Sequence, residues 1–418
     1  MSIGYACLTL GVPGTEIKGC LLKNANEDNL ARLVRNNLSS LKNIIDYNAA
    51  NGILLFRISS DIIPFGSNSA NTLQWKTIFS NELNAIGEMI KRAGIRVSMH
   101  PGQYTVLNSP NKAVVKRAIE DLNYHSGFLD SLGVDSSNKI VLHVGGAYGD
   151  KAAALLRFAQ SFKELDNSVC RRLVIENDDR VFNIGDVLEL ASNLGLPVIY
   201  DNLHNRLNSC DRTKDDFYWV SKCALSWKEK DGIQKIHYSQ QNHSKRSGSH
   251  SESIHLKEFM EFYSGLGERK PDIMLEVKDK NLSALKCINS TSINGHISIL
   301  EAEWARYKYA VLERSPNDYR KIRGLLRDKS SYPAAAFYSA VEDAYRHVHN
   351  QGNFVNAALH VWGYFKNYAG EKEKKRFEDL LQTYANTGNS VAAVKNHLFR
   401  LSVKYDQEYL LNSYYFIK

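Results

Sequence analysis

The chain has 418 residues, 43% hydrophobic and 23% charged, and carries a net charge of +8 from 53 basic and 45 acidic side chains. That composition suits a globular protein; no apolar run approaches a bilayer-spanning length, and the N-terminus lacks the charged, apolar and small-residue order of a secretory signal. Six dispersed cysteines never form CxxC, which argues against a zinc ribbon or disulfide framework and makes reducing cytoplasm the expected compartment, while the modest basic excess favours a polyanionic partner without proving one.

Short β-branched runs alternate with longer helical patterns from the first residues, the rhythm of βα units on a parallel sheet. Strands are expected near Ile3–Cys7, Ile53–Ser59, Arg96–His100, Lys139–Val144, Arg172–Asn177, Pro197–Asn202, Gln234–Ser239 and Asp272–Val277. Leu30, Leu33, Val34, Leu38, Leu41, Ile44 and Ile45 recur near a 3.6-residue period, as do Trp75, Ile78, Phe79, Leu83, Ile86, Met89 and Ile90, so both stretches read as helices packed on the sheet. Gly52, Gly94, Gly133 and Gly195 each follow a helical pattern and precede a strand, where a left-handed backbone is cheapest as glycine. Eight such units predict an α/β fold, a (β/α)8 TIM barrel over residues 1–300 whose chemistry sits in the loops after the strands. A doubly wound sheet is the alternative, but it would gather its ligands at one switch point. From about Leu300 the rhythm becomes helix upon helix: Glu301–Leu312, Ser339–Asn350, Val355–Tyr368, Lys372–Tyr384 and Ser390–Lys404, with Pro316, Pro333 and Gly370 as punctuation. An all-α domain is expected over 301–418.

Short apolar runs within the predicted strands lead directly into acid–base residues: His100, His143, Glu176, Asp201, His237 and Glu276. A buried carboxylate or imidazole is unfavourable by several kcal/mol unless paired or metal-bound, so six such strand ends point to one shared ion site. Lys235 and His237 are two apart on one strand and project from the same face. A lysine there is repelled by cations unless it is neutral or converted to a carbamate; an ordinary lysine paired with a carboxylate is the other reading.

The strings GYACLTL, RISSDIIPFGSN, SMHPGQYTVLNSP, KIVLHVGGAYGDK, LVIENDD, VIYDNLHN, KIHYSQ, HSESI and DIMLEVKDK together resemble the UV damage endonuclease family, from about residue 3 to residue 288. The resemblance implies a TIM barrel related to endonuclease IV, with two or three divalent metal ions, usually manganese, although zinc, magnesium or cobalt would also fit. It implies nicking of DNA on the 5′ side of cyclobutane pyrimidine dimers and 6-4 photoproducts, abasic sites being a further candidate. The metal ligands it implies are His100, His143, Glu176, Asp201, His204, His237, His250 and Glu276, with Lys235 as a carboxylated bridge. Glu176, Glu276, Lys235 and His237 are the expected catalytic set, and Gln103 and Tyr104 the wedge that probes damaged duplex, with Tyr5 also near the DNA. Damaged double-stranded DNA is the expected partner of a monomer that uses no nucleotide cofactor and meets no membrane. Ser67 and Asn68 stand where many members read Ser-His, which removes an imidazole ligand. The C-terminal stretch, with WGYFK, EKEKKRFEDLLQTY and YLLNSYYF, resembles the YbgA-like helical domain of bacteria, and Arg320, Lys321, Arg323, Arg327 and Lys329 form a basic cluster at its entrance.

Simpler readings stand beside these. Gln103 and Tyr104 could be an ordinary loop after Pro101 and Gly102, Gly145, Gly146 and Gly149 are explained by tight turns, and Trp362, Tyr364, Phe365 and Tyr368 follow packing periodicity. His125, His296, His347, His349, His360 and His397 belong to no motif. A sugar-isomerase-like metal barrel and a non-cleaving damage-binding protein remain the competing functions, because fold alone does not decide chemistry.

Overall fold

Eight parallel strands form a ring in the computed structural model, which describes residues 1–268 and 270–417. They are β1 (Ile3–Ala6), β2 (Leu55–Arg57), β3 (Arg96–Ser98), β4 (Ile140–His143), β5 (Leu173–Glu176), β6 (Val198–Ile199), β7 (Lys235–Tyr238) and β8 (Asp272–Leu275). Continuous ladders run β3-β2-β1-β8-β7 and β4-β5-β6. Two parallel bridges, Met99 with Ile140 and Asp201 with His237, join the two arcs and close the barrel. At the first seam Val141 N–H donates to the Met99 carbonyl at 3.0 Å, and at the second His237 N–H donates to the Tyr200 carbonyl at 3.0 Å. The expected TIM barrel is therefore the observed one. Gly4 shows how tightly β1 and β2 approach, since a Cβ there would lie 1.9 Å from the Leu55 carbonyl oxygen.

Strand parity sorts the inward side chains into layers. At the N-terminal end Arg96 pairs with Asp272 at 3.1 Å and Lys139 with Asp231 at 2.6 Å. Above them lie two apolar groups, Leu55 with Ala6 and Met274, and Val141 with Val174 and Ile199. The catalytic rim then carries Arg57, His143, Glu176, Asp201, His237 and Glu276. Outward residues meet the helices, and Tyr5 is one of them. It is fully buried, and its hydroxyl donates to Asn48 Oδ1 of the helix Glu27–Ala50 at 2.8 Å while lying 2.6 Å from Thr9 Oγ1. The expected contact of Tyr5 with DNA is thus corrected: the ring supports β1 against its helix. Gly52, Gly94, Gly133 and Gly195 all adopt φ between 63° and 68°, as their positions after helices required.

By compactness the chain divides into a barrel unit, Met1–Thr9 with Gly14–Leu285, and a helical unit of Leu10–Pro13 with the chain from Lys286 onward. The helical unit contains Ile297–Arg314, Pro316–Leu325, Ala334–Arg346, Gln351–Trp362, Glu371–Thr387 and Val391–Lys404. Its core is built from Tyr309, Phe354, Val361, Phe365, Phe377, Leu398, Leu401 and Tyr415, and Trp362 stacks on Phe377 at 4.4 Å, so the aromatic run does serve packing. Pro316 begins a helix instead of interrupting one: Ser315 Oγ accepts from Asp318 N–H at 3.1 Å and the proline occupies the first turn, where its missing N–H removes no bond. Among the described residues no helix is long and apolar enough to cross a membrane.

Candidate metal centre

The local chemistry of the strand ends explains how the site is assembled. His143 and Glu176 are the last residues of β4 and β5, while His100, Asp201 and Glu276 follow β3, β6 and β8, where ladder bonding gives way to loops. Asp201 caps the short helix Asn202–Leu207 by accepting from His204 N–H at 2.8 Å, which brings His204 to the same mouth. Seven of the eight expected ligands fall into three overlapping sets: His100 with His143 and Glu176, Glu176 with Asp201 and His204, and Glu176 with His237 and Glu276. Within each set the ligand atoms lie within 4.8 Å of one another. Glu176 belongs to all three, the position of a bridging carboxylate. His250, on a loop, reaches the third set from outside, its Nε2 3.8 Å from Glu276 Oε2.

Hydrogen bonds at the outer nitrogens orient the imidazoles. His100 Nδ1 donates to the Pro101 carbonyl at 3.0 Å, leaving its Nε2 with a lone pair, whereas His204 Nδ1 donates to the Asn177 carbonyl at 2.9 Å and lies 3.8 Å from Glu176 Oε1 and 3.9 Å from Asp201 Oδ1. Glu176 Oε2 and His143 Nδ1 are buried without a hydrogen-bond partner. A carboxylate oxygen facing His100 Nε2 at 3.3 Å and His143 Nε2 at 3.7 Å with no hydrogen bond is what a cation would satisfy. This mixed set of imidazole nitrogens and carboxylate oxygens fits a divalent first-row metal.

Burial lowers the pKa of His100, His143 and His237 and so keeps them neutral, as metal ligands must be. His204 departs from this pattern: burial opposes its charge, but Asp201, Glu176 and Glu276 outweigh it and hold its pKa up at about 9. Burial pushes Asp201 up to about 6. For Glu276, burial is overcome by the Arg57 guanidinium, which holds the carboxyl well below its ordinary range.

Arg57 joins the site although no sequence motif singled it out. At the end of β2 it reaches across the barrel, its Nη2 2.5 Å from Glu276 Oε1 and 3.0 Å from His237 Nε2. The available signal was parity, since Leu55 and Arg57 share the inward face of their strand. Lys235 is buried on the inward face of β7, and burial lowers its pKa strongly. Among the described residues no carboxylate lies within 4 Å of its Nζ, so the paired-lysine reading has no partner here. Asn68 is exposed, and its Oδ1 accepts from Ala70 N–H at 2.9 Å in a local turn.

Beside the centre, Thr105 N–H donates to the Gly102 carbonyl at 2.9 Å, closing a turn with Gln103 and Tyr104 at its two corners. Both side chains are exposed, Tyr104 by 73%. The turn is anchored from below, because Asp121 accepts from Thr105 Oγ1 at 2.6 Å and from Ser67 Oγ at 2.7 Å. Ser60 Oγ donates to the His100 carbonyl at 2.8 Å and lies 2.9 Å from His125 Nε2, so His125 supports the loop of a ligand. Tyr104 borders a groove of about 1070 Å³ that also includes Lys18, Phe65, Lys116, Arg117 and Tyr124.

The model of the UV-endonuclease UvdE family matches residues 4–305. The chain belongs to that family. Residues 308–418 match a second family, described as a protein of unknown function, DUF1722. A UV DNA damage endonuclease from Clostridium perfringens (strain 13 / Type A) is 45% identical over 334 residues, covering 78% of this chain and 80% of the relative. One from Bacillus cereus (strain Q1) is 32% identical over 290 residues, covering 68% and 90%. Among solved structures, the crystal structure of SacUVDE aligns with a TM-score of 0.66 at 38% identity, covering 69% of this chain and 97% of that one. The chain is thus a UV DNA damage endonuclease homologue and an enzyme whose barrel is that of its family.

Proposed function

We propose that this enzyme hydrolyses the phosphodiester on the 5′ side of cyclobutane pyrimidine dimers and 6-4 photoproducts in double-stranded DNA, using two or three divalent ions, manganese first among them. The observation that carries this reading is the convergence of six candidate ligand side chains on Glu176 at the catalytic rim, beside an exposed Gln103–Tyr104 turn. Bound divalent ions supply a water of lowered pKa and neutralise charge on the phosphoryl and leaving oxygens. Glu176 bridges the sets, His100 with His143 and Asp201 with His204 hold its two flanks, and Glu276 with His237 completes the third. Arg57 keeps Glu276 ionised and oriented. A neutral Lys235 is a nucleophile toward carbon dioxide, and its carbamate would add a bridging anion; labelled bicarbonate followed by carbon-13 NMR detects that adduct.

Tyr104 fills the gap left by a displaced dinucleotide while the Gln103 amide meets exposed base edges. A photodimer is already poorly stacked, so its extrusion is easier by a few kcal/mol than that of two normal bases. The test is a labelled duplex bearing one photodimer, an abasic site or no lesion, incubated with protein and manganese. Nicking immediately 5′ to the dimer is expected. Tight binding without nicking would establish the damage-binding alternative, and indifference to lesions would overturn the DNA reading.

A further inference from the structure

The loop that leaves β4 holds a second aromatic ring out to solvent on the rim of the metal centre. Tyr148, shortly after His143, is 49% exposed, and its φ of 53° lies in the left-handed region that bulky side chains rarely adopt. Backbone strain of this kind persists where surrounding contacts over-determine it, and it collects at functional sites. Those contacts are present. The Arg157 guanidinium stands 5.7 Å from the ring centroid, and Arg157 Nε donates to the Asn108 carbonyl at 2.8 Å. Asn108 Nδ2 in turn donates to the Gly146 carbonyl at 2.8 Å. Gly145 is constrained at this junction, with φ of 114° and a Cβ that would lie 2.4 Å from Asn108 Oδ1, and the Tyr148 ring packs close to Gly146, where a Cβ would lie 3.3 Å from it. Asn108 follows the turn that displays Tyr104, so the loops after β3 and β4 are tied together, and each presents one exposed tyrosine at the catalytic rim.

A ring fixed against its own backbone and held by a guanidinium loses little freedom on meeting a ligand, and aromatic faces at a nucleic-acid site stack on bases of any sequence. We propose that Tyr148 is a second aromatic contact for damaged DNA, packing on a nucleotide of the duplex while Tyr104 enters the lesion, with Arg157 and Asn108 as its positioning residues. This rests on the nuclease reading and assigns a separate residue within it.

The experiment compares the wild-type holoenzyme with Tyr148→Ala, Tyr148→Phe and Tyr148→Trp on a duplex bearing one photodimer, measuring kcat, KM, duplex affinity, manganese content and melting temperature. Tyr148→Ala is expected to weaken duplex binding and raise KM roughly tenfold, with a much smaller fall in kcat and unchanged metal content, and both aromatic variants to restore KM. If the alanine variant melts early, Tyr148→Leu replaces it, keeping apolar bulk without a π face, and the same loss is expected. Wild-type affinity in the alanine or leucine variant, or failure of both aromatic variants to rescue, overturns the proposal. A wild-type enzyme that leaves the dimer duplex uncut overturns the nuclease reading instead.

Discussion

His204 permits a quantitative test of the metal centre. In the metal-free site its pKa is about 9, because Asp201, Glu176 and Glu276 outweigh the burial that opposes its charge. At about pH 7.5 it is therefore almost fully protonated, and coordination through that imidazole must expel the proton. His100, His143 and His237 have lowered pKa values and release nothing at this pH. Asp201, at about 6, is already ionised there. Filling the Glu176–Asp201–His204 set should release about one proton, and apparent affinity should rise about tenfold per pH unit from roughly pH 7 until it levels near 9. A folded pKa raised from the ordinary 6.5 stabilises the metal-free protein below 6.5, by up to about 3 kcal/mol relative to alkaline pH, and that stability is lost as pH rises through 9. The assay is manganese titration calorimetry in buffers of different ionisation enthalpy, which counts protons directly, with His204→Gln as control. A release well under half a proton in the wild type, or an affinity flat between about pH 7 and 9, would refute the argument.

Three further outcomes follow from the same geometry. Arg57→Ala leaves the buried Glu276 carboxylate without its guanidinium, so the metal-free protein should lose roughly 3 kcal/mol of stability, seen as a lower melting temperature that manganese partly restores. Tyr104→Ala should reduce the preference for damaged over undamaged duplex in a binding assay, with metal content by elemental analysis unchanged. Asp121→Ala removes the acceptor of both Thr105 and Ser67, loosening the Gln103–Tyr104 turn; kcat/KM on a dimer duplex should fall about tenfold or more, consistent with the sensitivity of catalysis to small misplacements, and nearly equal kinetics would show that the turn needs no anchor.

Six of the candidate ligands were legible because strands have a period of two and buried ionisable groups are expensive, whereas His204 and His250 entered only through the family resemblance. A run such as Leu173–Ile175 ending on Glu176 marks an inward carboxylate without any knowledge of its neighbours. The same parity could have placed Arg57 inside and Tyr5 outside, but an arginine near a strand end also reads as a solvated side chain, and only β7 and β8 across the barrel supply His237 and Glu276 as its partners. Pro316 was ambiguous for a related reason, since proline ends a helix or begins one according to whether Ser315 caps it.

The chain's own order of residues thus determined the number of βα units, the strand faces and the six acid–base residues at the strand ends, because these depend on local periodicity and on the cost of burying charge, while the Gln103–Tyr104 pair came from the family resemblance. Tertiary structure alone decided that Glu176 lies at the meeting point of three candidate ligand sets, that Arg57 neutralises Glu276, that Asn68 Oδ1 is engaged in a local turn, and that the Tyr148 loop is fastened to the Gln103–Tyr104 loop. These are relations between segments far apart in sequence, and closure of the barrel is what brings them within bonding distance.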